Sequence, residues 1–426
     1  MMDGTSLFSR CILLVWMLWT LPLFSQQERV IELRSANELR GKVINGEEVR
    51  ELIGNVHFVQ PSNTGGPVRV WCDRALRYMK QNKVELFGNV RLIRDSIVLR
   101  SQEGVYFGDE QRARMVRGVI LERGGSTLTA RTGDYWTKEK RAVFVREVVV
   151  RDSISETRCD RLEYYEEEER SVAIGKVRVV SLENNTTVLG DSLIRFDKTR
   201  YSIVPKNPLF VQVDTTDGVI DTLLIKSKVM EAYQDTARRF IATGDVAVVR
   251  SDVAARSAKA HYFYQDDVIV LQGQPIVWHE QNQITGDSIV VTLSNRRLRT
   301  VFVSGRAMAV SRADSINLSR FDQLTGRSMT FHFENDKINR IEVEQTATSL
   351  YYLYDDTKPN GANRSSGDRI TIEFTDGKID RIKIIGGVEG RYFPEEMLWG
   401  REPSYNLDGF KWRTDRPQRK QLEIVN

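Results

Sequence analysis

The chain has 426 residues, of which 41% are hydrophobic and 28% charged, with a formal net charge of +4. So mild a balance, with both signs interspersed, argues against a nucleic-acid partner. Three cysteines and four scattered histidines (His57, His261, His279 and His332) make neither a zinc pattern nor a disulfide framework, and no cofactor is expected.

At the N-terminus, Arg10 precedes an apolar run from Cys11 to Phe24, which closes at Ser25 before two glutamines. Fourteen residues are too few to span a bilayer as a helix, and they suit the core of a signal peptide. The expectation is export with cleavage near Ser25, over an uncleaved membrane anchor. Cys11 opens the run rather than closing it, which argues against a lipoprotein site. The remaining residues, about 400, exceed one ordinary compact domain and suit a linear array.

From Val70 to Val180 the chain repeats in steps of 29 residues. Small residues recur at Cys72, Ser101, Ala130 and Cys159, and aromatics at Tyr78, Phe107, Trp136 and Tyr165. Aliphatics recur at Val90, Val119, Val148 and Val177, and again at Leu92, Leu121, Val150 and Val179. A fixed period of this length is the mark of stacked supersecondary units. Within a rung the alternation is two-fold, as in Asn89-Val90-Arg91-Leu92, which is the pattern of a strand with one apolar face. Polar turns such as Gln81-Asn82-Lys83 separate the strands. The fold class is all-β, an elongated stack with the four aromatics in one file.

The repeat extends upstream to Ala36, with Val56 and Phe58 closing that rung. Downstream the small position recurs at Gly190, Ser227, Ala258, Gly286, Gly326 and Gly367, and Val246 and Val248 mark a rung end. This makes eleven rungs, looser in register after Gly190. Pro205, Pro208 and the polar stretch 214–218 break strands there and suggest a boundary. The expected organisation is a signal peptide over 1–25, one β segment over 26–204, a second over 205–392, and a tail over 393–426. The tail carries Trp399, Tyr405, Phe410 and Trp412; it reads either as a cap folded over the last rung or as a docking peptide for a partner. Cys72 and Cys159 share a column three rungs apart, at least ~14 Å even at one strand per rung. They are expected to be free thiols rather than a reactive pair.

No catalytic constellation emerges, and an enzyme is not expected. The chain builds instead a continuous apolar stripe. In one reading two such faces close into a dry core, and the protein is a structural or adhesive β-solenoid. In the other the faces part along a seam and leave a groove, where apolar ligand area gains roughly 25 cal/mol per Å². Periodicity alone leaves both open.

The recurring small residue with a polar neighbour (Cys72-Asp73, Cys159-Asp160, Gly190-Asp191, Gly286-Asp287), followed by an aromatic and a polar turn, resembles the OstA-like family. So do Gly54-Asn55-Val56, Gly88-Asn89-Val90, Gly175-Lys176-Val177 and Gly244-Asp245-Val246, and the opening Ile31 to Asn37. The family comprises periplasmic lipopolysaccharide-transport proteins, and the resemblance spans about Val30 to Gly390. It implies a V-shaped β-jellyroll in the periplasm that holds lipid A acyl chains inside. It further implies stacking end to end and meeting other transport components at the inner and outer membranes. The inward, lipid-contacting positions would be Val56, Phe58, Val90, Leu92, Val119, Leu121, Val148, Val150, Val177, Val179, Val246 and Val248. The length, the lack of a barrel-sized C-terminal domain and the aromatic tail depart from the family pattern.

Overall fold

The computed structural model describes residues 31–423 apart from 62–65, 217–218, 235–237, 252, 295–296 and 336; the expected signal peptide lies outside the described residues. Each 29-residue unit is a hairpin. Val68–Tyr78 pairs antiparallel with Lys83–Arg94, which pairs with Ile97–Phe107, and the order continues through Arg112–Arg123, Ser126–Trp136, Arg141–Arg151, Ser155–Tyr165 and Arg170–Ser181. The hairpin turns at Asn82, Gln111, Lys140 and Glu169 each place that residue in the left-handed region, a column of its own at the same period.

Most of the long strands bend near their middle. Pairing slips there, between Ile53 and Val56, Phe87 and Val90, Val116 and Val119, Ile174 and Val177, and Thr243 and Val246. A slip of this kind is a β-bulge, which kinks a strand and turns its side chains. Stacked bulges form one continuous corner that divides the sheet into two limbs. Two successive residues take positive φ at most corners: Gly54 with Asn55, Gly88 with Asn89, Gly175 with Lys176, Gly244 with Asp245. Glycine adopts this conformation without steric cost. At Gly88 and Gly175 it also leaves room for Asp73 and Asp160, which lie where a β-carbon would be. A polar tie spans several corners, as in Asn89 Nδ2 donating to Asp73 Oδ2 (2.9 Å). Lys228 and Asp245 make the equivalent tie as an ion pair, with the carboxylate now on the corner residue (2.8 Å).

The small-residue column sits inside the corner, opposite the valines: Cys72 faces Val56, Ala130 faces Val119, Cys159 faces Val148, Gly190 faces Val177. One assignment needs correction. Ser257, not Ala258, faces Val246 and is buried; Ala258 is exposed and takes the position Asp73 holds elsewhere. A one-residue slip moves a side chain to the other face.

The stretch 205–216 does not interrupt the sheet. Tyr201–Lys206 and Leu209–Thr216 are the two limbs of one bent strand, and Thr186–Phe196 pairs with both. Two interior clusters meet at Leu193, one running from Leu52 to Val177 and one from Val204 to Ile370.

The tail does not cap the last rung. It runs back along the outer face of one limb, with Phe410 and Trp412 against Phe321 (ring centroids 5.2 and 5.0 Å) and Leu422 packed with Leu209 and Leu224. Gln283 receives Arg413 N–H and donates to the Lys411 carbonyl; Gln323 receives Leu407 N–H. Buried Arg320 pairs with Glu395 (2.5 Å) and Glu402 (3.4 Å). The reason is compositional. At the two outward positions after the corner this face presents Ala247, Val249, Ile276, Trp278, Met308 and Val310, all buried, whereas the same two positions of earlier rungs include Arg91, Glu122, Arg151 and Arg178. Apolar area is what a strap can bury with profit.

Candidate functional site

The apolar interior has two walls, one on each limb. On the first limb the expected positions form two rows. At the corner Val56, Val90, Val119, Val148, Val177 and Val246 are at most 2% exposed. One step toward the limb tip, Phe58 is buried, and Leu92, Leu121, Val150, Val179 and Val248 are half-buried. All but Val246 and Val248 belong to, or pack on, the first cluster; those two belong to the second.

The second wall was not anticipated. Its corner row pairs a small residue with a large one: Ala75 with Leu86, Gly104 with Met115, Gly133 with Phe144, and Leu162 with Ala173. A β-carbon at Gly133 would lie 2.9 Å from Phe144 Cδ1, so the glycine is the space the phenyl ring fills. At the fourth rung the sizes exchange and the summed volume is kept, as close packing demands. Its outer row carries Tyr106, Tyr135 and Tyr164, again 29 apart and packed on the core.

The expected file of Tyr78, Phe107, Trp136 and Tyr165 exists, but on the outside of this limb. Each of these rings is covered by the cation directly across the hairpin: Lys83 (4.2 Å), Arg112 (4.6 Å), Arg141 (4.5 Å) and Arg170 (4.1 Å). Strand pairing makes the file continuous, from Tyr78 through Lys83 and Phe107 to Phe196.

The two limb tips meet. Arg94 ends its strand on the first limb, and Tyr135 lies near the far end of its strand on the second. A flat strand of 12 residues would separate those tips by about 40 Å, yet Arg94 Nη1 donates to Tyr135 Oη at 3.2 Å. Arg123 repeats the contact on Tyr164 (2.8 Å), Gln60 on Tyr106 (3.4 Å), and Asp152 meets Arg195 (3.8 Å). The Tyr135 hydroxyl in turn donates a hydrogen bond to Glu166 Oε2 (3.1 Å). Burial, helped by Glu166, pushes the Tyr135 phenol up to about 12, so it stays neutral. In this conformation the first half is a closed, filled tube with a polar seam.

Cys72 and Cys159 are free, buried thiols inside the corner, six strands apart. Burial pushes them up to about 12 and about 11, away from the thiolate that reactivity requires. No helix among the described residues is long and apolar enough to cross a membrane.

Comparison with known proteins follows the two halves. The family model of the OstA-like protein matches residues 28–145. The model described as LptA/(LptD N-terminal domain) LPS transport protein matches residues 219–297. No curated protein matches the chain. Among matching solved structures is LptH, the LptA homologous periplasmic component of the conserved lipopolysaccharide transport device from Pseudomonas aeruginosa. It is 12% identical, with a TM-score of 0.27, over 33% of this chain and 95% of that one. With a match in each half of the stack, the chain is similar to the OstA-like and LptA/LptD N-terminal families of lipopolysaccharide-transport proteins.

Proposed function

We propose that this chain carries lipopolysaccharide across the periplasm toward the outer membrane, with the acyl chains held between the two limbs. The observation that carries the reading is the double-walled apolar interior, which runs unbroken through both family matches. Transport of this kind needs no catalytic group, because burial of acyl area against these walls supplies the affinity. The contact residues are the rows from Val56, Phe58, Val90, Leu92, Val119, Leu121, Val148, Val150, Val177 and Val179 to Val246 and Val248. The chain divides functionally at about 204/205, with residues 1–25 as the export signal.

The ends of the stack support docking to other transport components or to a second copy. Glu38–Ile44 pairs on one side with Glu47–Gln60 and exposes Leu39 and Val43; Lys378–Ile385 pairs with Lys358–Thr375 and exposes Ile382 and Ile385. Unpaired strand edges with apolar side chains are ready templates for strand addition.

The test is photo-crosslinking to lipopolysaccharide in cells from Val148 and Val177, compared with outward Lys176 and Arg178. Labelling confined to the inward pair supports conduction. Equal labelling from both faces, or none from a folded and exported protein, refutes it.

A further inference from the structure

The inner wall changes character toward the seam. On one strand the inward side chains run Val90, Leu92, Arg94; on the next equivalent strand they run Val119, Leu121, Arg123. Each row therefore begins apolar at the corner and ends in a guanidinium at the lip. Arg94 is tucked in, with its side chain 12% exposed, and it also has Asp95 at 4.0 Å from its Nε. Arg123 lies over the Tyr164 ring as well as against its hydroxyl, with its guanidinium carbon 5.6 Å from the ring centroid. On the outer surface, by contrast, arginines are matched to carboxylates: Arg100 with Glu122, Arg112 and Arg114 with Asp134, Arg161 with Glu163. Across the seam Arg94 and Arg123 each meet a tyrosine hydroxyl, while further along Arg195 meets Asp152.

We infer that Arg94 and Arg123 are binding sites for the phosphate groups of an anionic lipid headgroup, covered in the resting state by Tyr135 and Tyr164. The inference rests on the transport reading above and specifies how the headgroup is read. An amphiphile with acyl chains between the walls must place its headgroup at the limb tips, because the corner is closed by backbone. Loading through the seam separates the tips and removes each phenol from its arginine. A phosphomonoester then offers the guanidinium a charged, two-pronged acceptor where the phenol oxygen was, and it is a stronger partner than that oxygen. The tyrosines hold the empty tube shut, and the arginines exchange them for the cargo rung by rung.

The experiment uses the full purified chain and three probes: phosphorylated lipid A, the same lipid with its phosphates removed, and inorganic phosphate. Arg94→Gln with Arg123→Gln should weaken binding of the phosphorylated lipid about tenfold and leave the dephosphorylated lipid unchanged. Arg94→Lys with Arg123→Lys should restore part of the loss. Tyr135→Phe with Tyr164→Phe removes the latch and keeps the charge, so it should load phosphorylated lipid faster than wild type. Inorganic phosphate should compete weakly, because it lacks the acyl anchor. Equal loss of both lipids in the glutamine pair overturns the inference, as does unchanged binding of both or a phenylalanine pair as impaired as the glutamine pair. Full competition by inorganic phosphate would make the arginines a free-phosphate site and overturn it also. Failure of wild type to bind either lipid would instead remove the transport reading, and this inference with it.

Discussion

Asp73 rests its carboxylate on Gly88, in the space that a β-carbon at residue 88 would take, and accepts a hydrogen bond from the neighbouring Asn89 (2.9 Å). The contact ties the left-handed corner of one strand to the corner of the strand before it. Gly88→Ala meets both obstacles at once, the positive φ and the carboxylate. It should cost about 2–3 kcal/mol, read as a lower urea midpoint with unchanged slope.

The reverse change should help at one corner. Gln345 and Thr346 hold φ of 61° and 56° without glycine. A β-branched residue there is strained. Thr346→Gly is expected to raise stability by about 1 kcal/mol in thermal or urea unfolding.

Gly133 and Phe144 should be coupled. Gly133 has no positive φ, so Gly133→Ala acts through crowding of the phenyl ring and should cost about 1–3 kcal/mol. Phe144→Leu in the same chain should return part of that loss. A double-mutant cycle that is simply additive would contradict the packing described.

The clamp on the tail can be released from afar. Gln283→Ala removes the side chain that both donates to Lys411 and accepts from Arg413. Limited trypsin digestion should then cut at Lys411, Arg413 and Arg419 well before the β stack. Cutting at wild-type rate would mean that the apolar contacts alone hold the strap.

Asp322 should make stability depend on pH. Burial pushes its carboxyl up to about 7, against the pull of the Tyr352 N–H. Its pKa is thus higher folded than unfolded, so the native state holds the proton more tightly through the interval between them. Its contribution is full below about pH 4 and is lost as pH rises toward 7. Asp322→Asn should flatten that part of the profile and stabilise the protein at pH 8.

Strand alternation, the 29-residue hairpin and the corner glycines were legible in the chain because backbone geometry demands them residue by residue. The second wall was harder to read. Tyr106 and Phe107 both recur at the same period, and nothing local says which column turns inward once a bulge has rotated the strand. Ala258 and Ser257 are equally small, so the column slipped by one where the spacing loosened. The tail was misplaced for a different reason. Its aromatics advertise a surface to cover, but the surface lies up to 159 residues away in sequence, as between Arg256 and Asp415.

That strap changes how the two halves come apart. In a plain stack each strand touches its neighbours, so ends can fray strand by strand. Bonds such as Trp278 to Arg413 instead close a long loop over the C-terminal half. Pulled from its ends, the N-terminal half should peel in small successive steps. The C-terminal half should hold until its strap detaches and then yield in one large extension, as a belt gives way at its buckle.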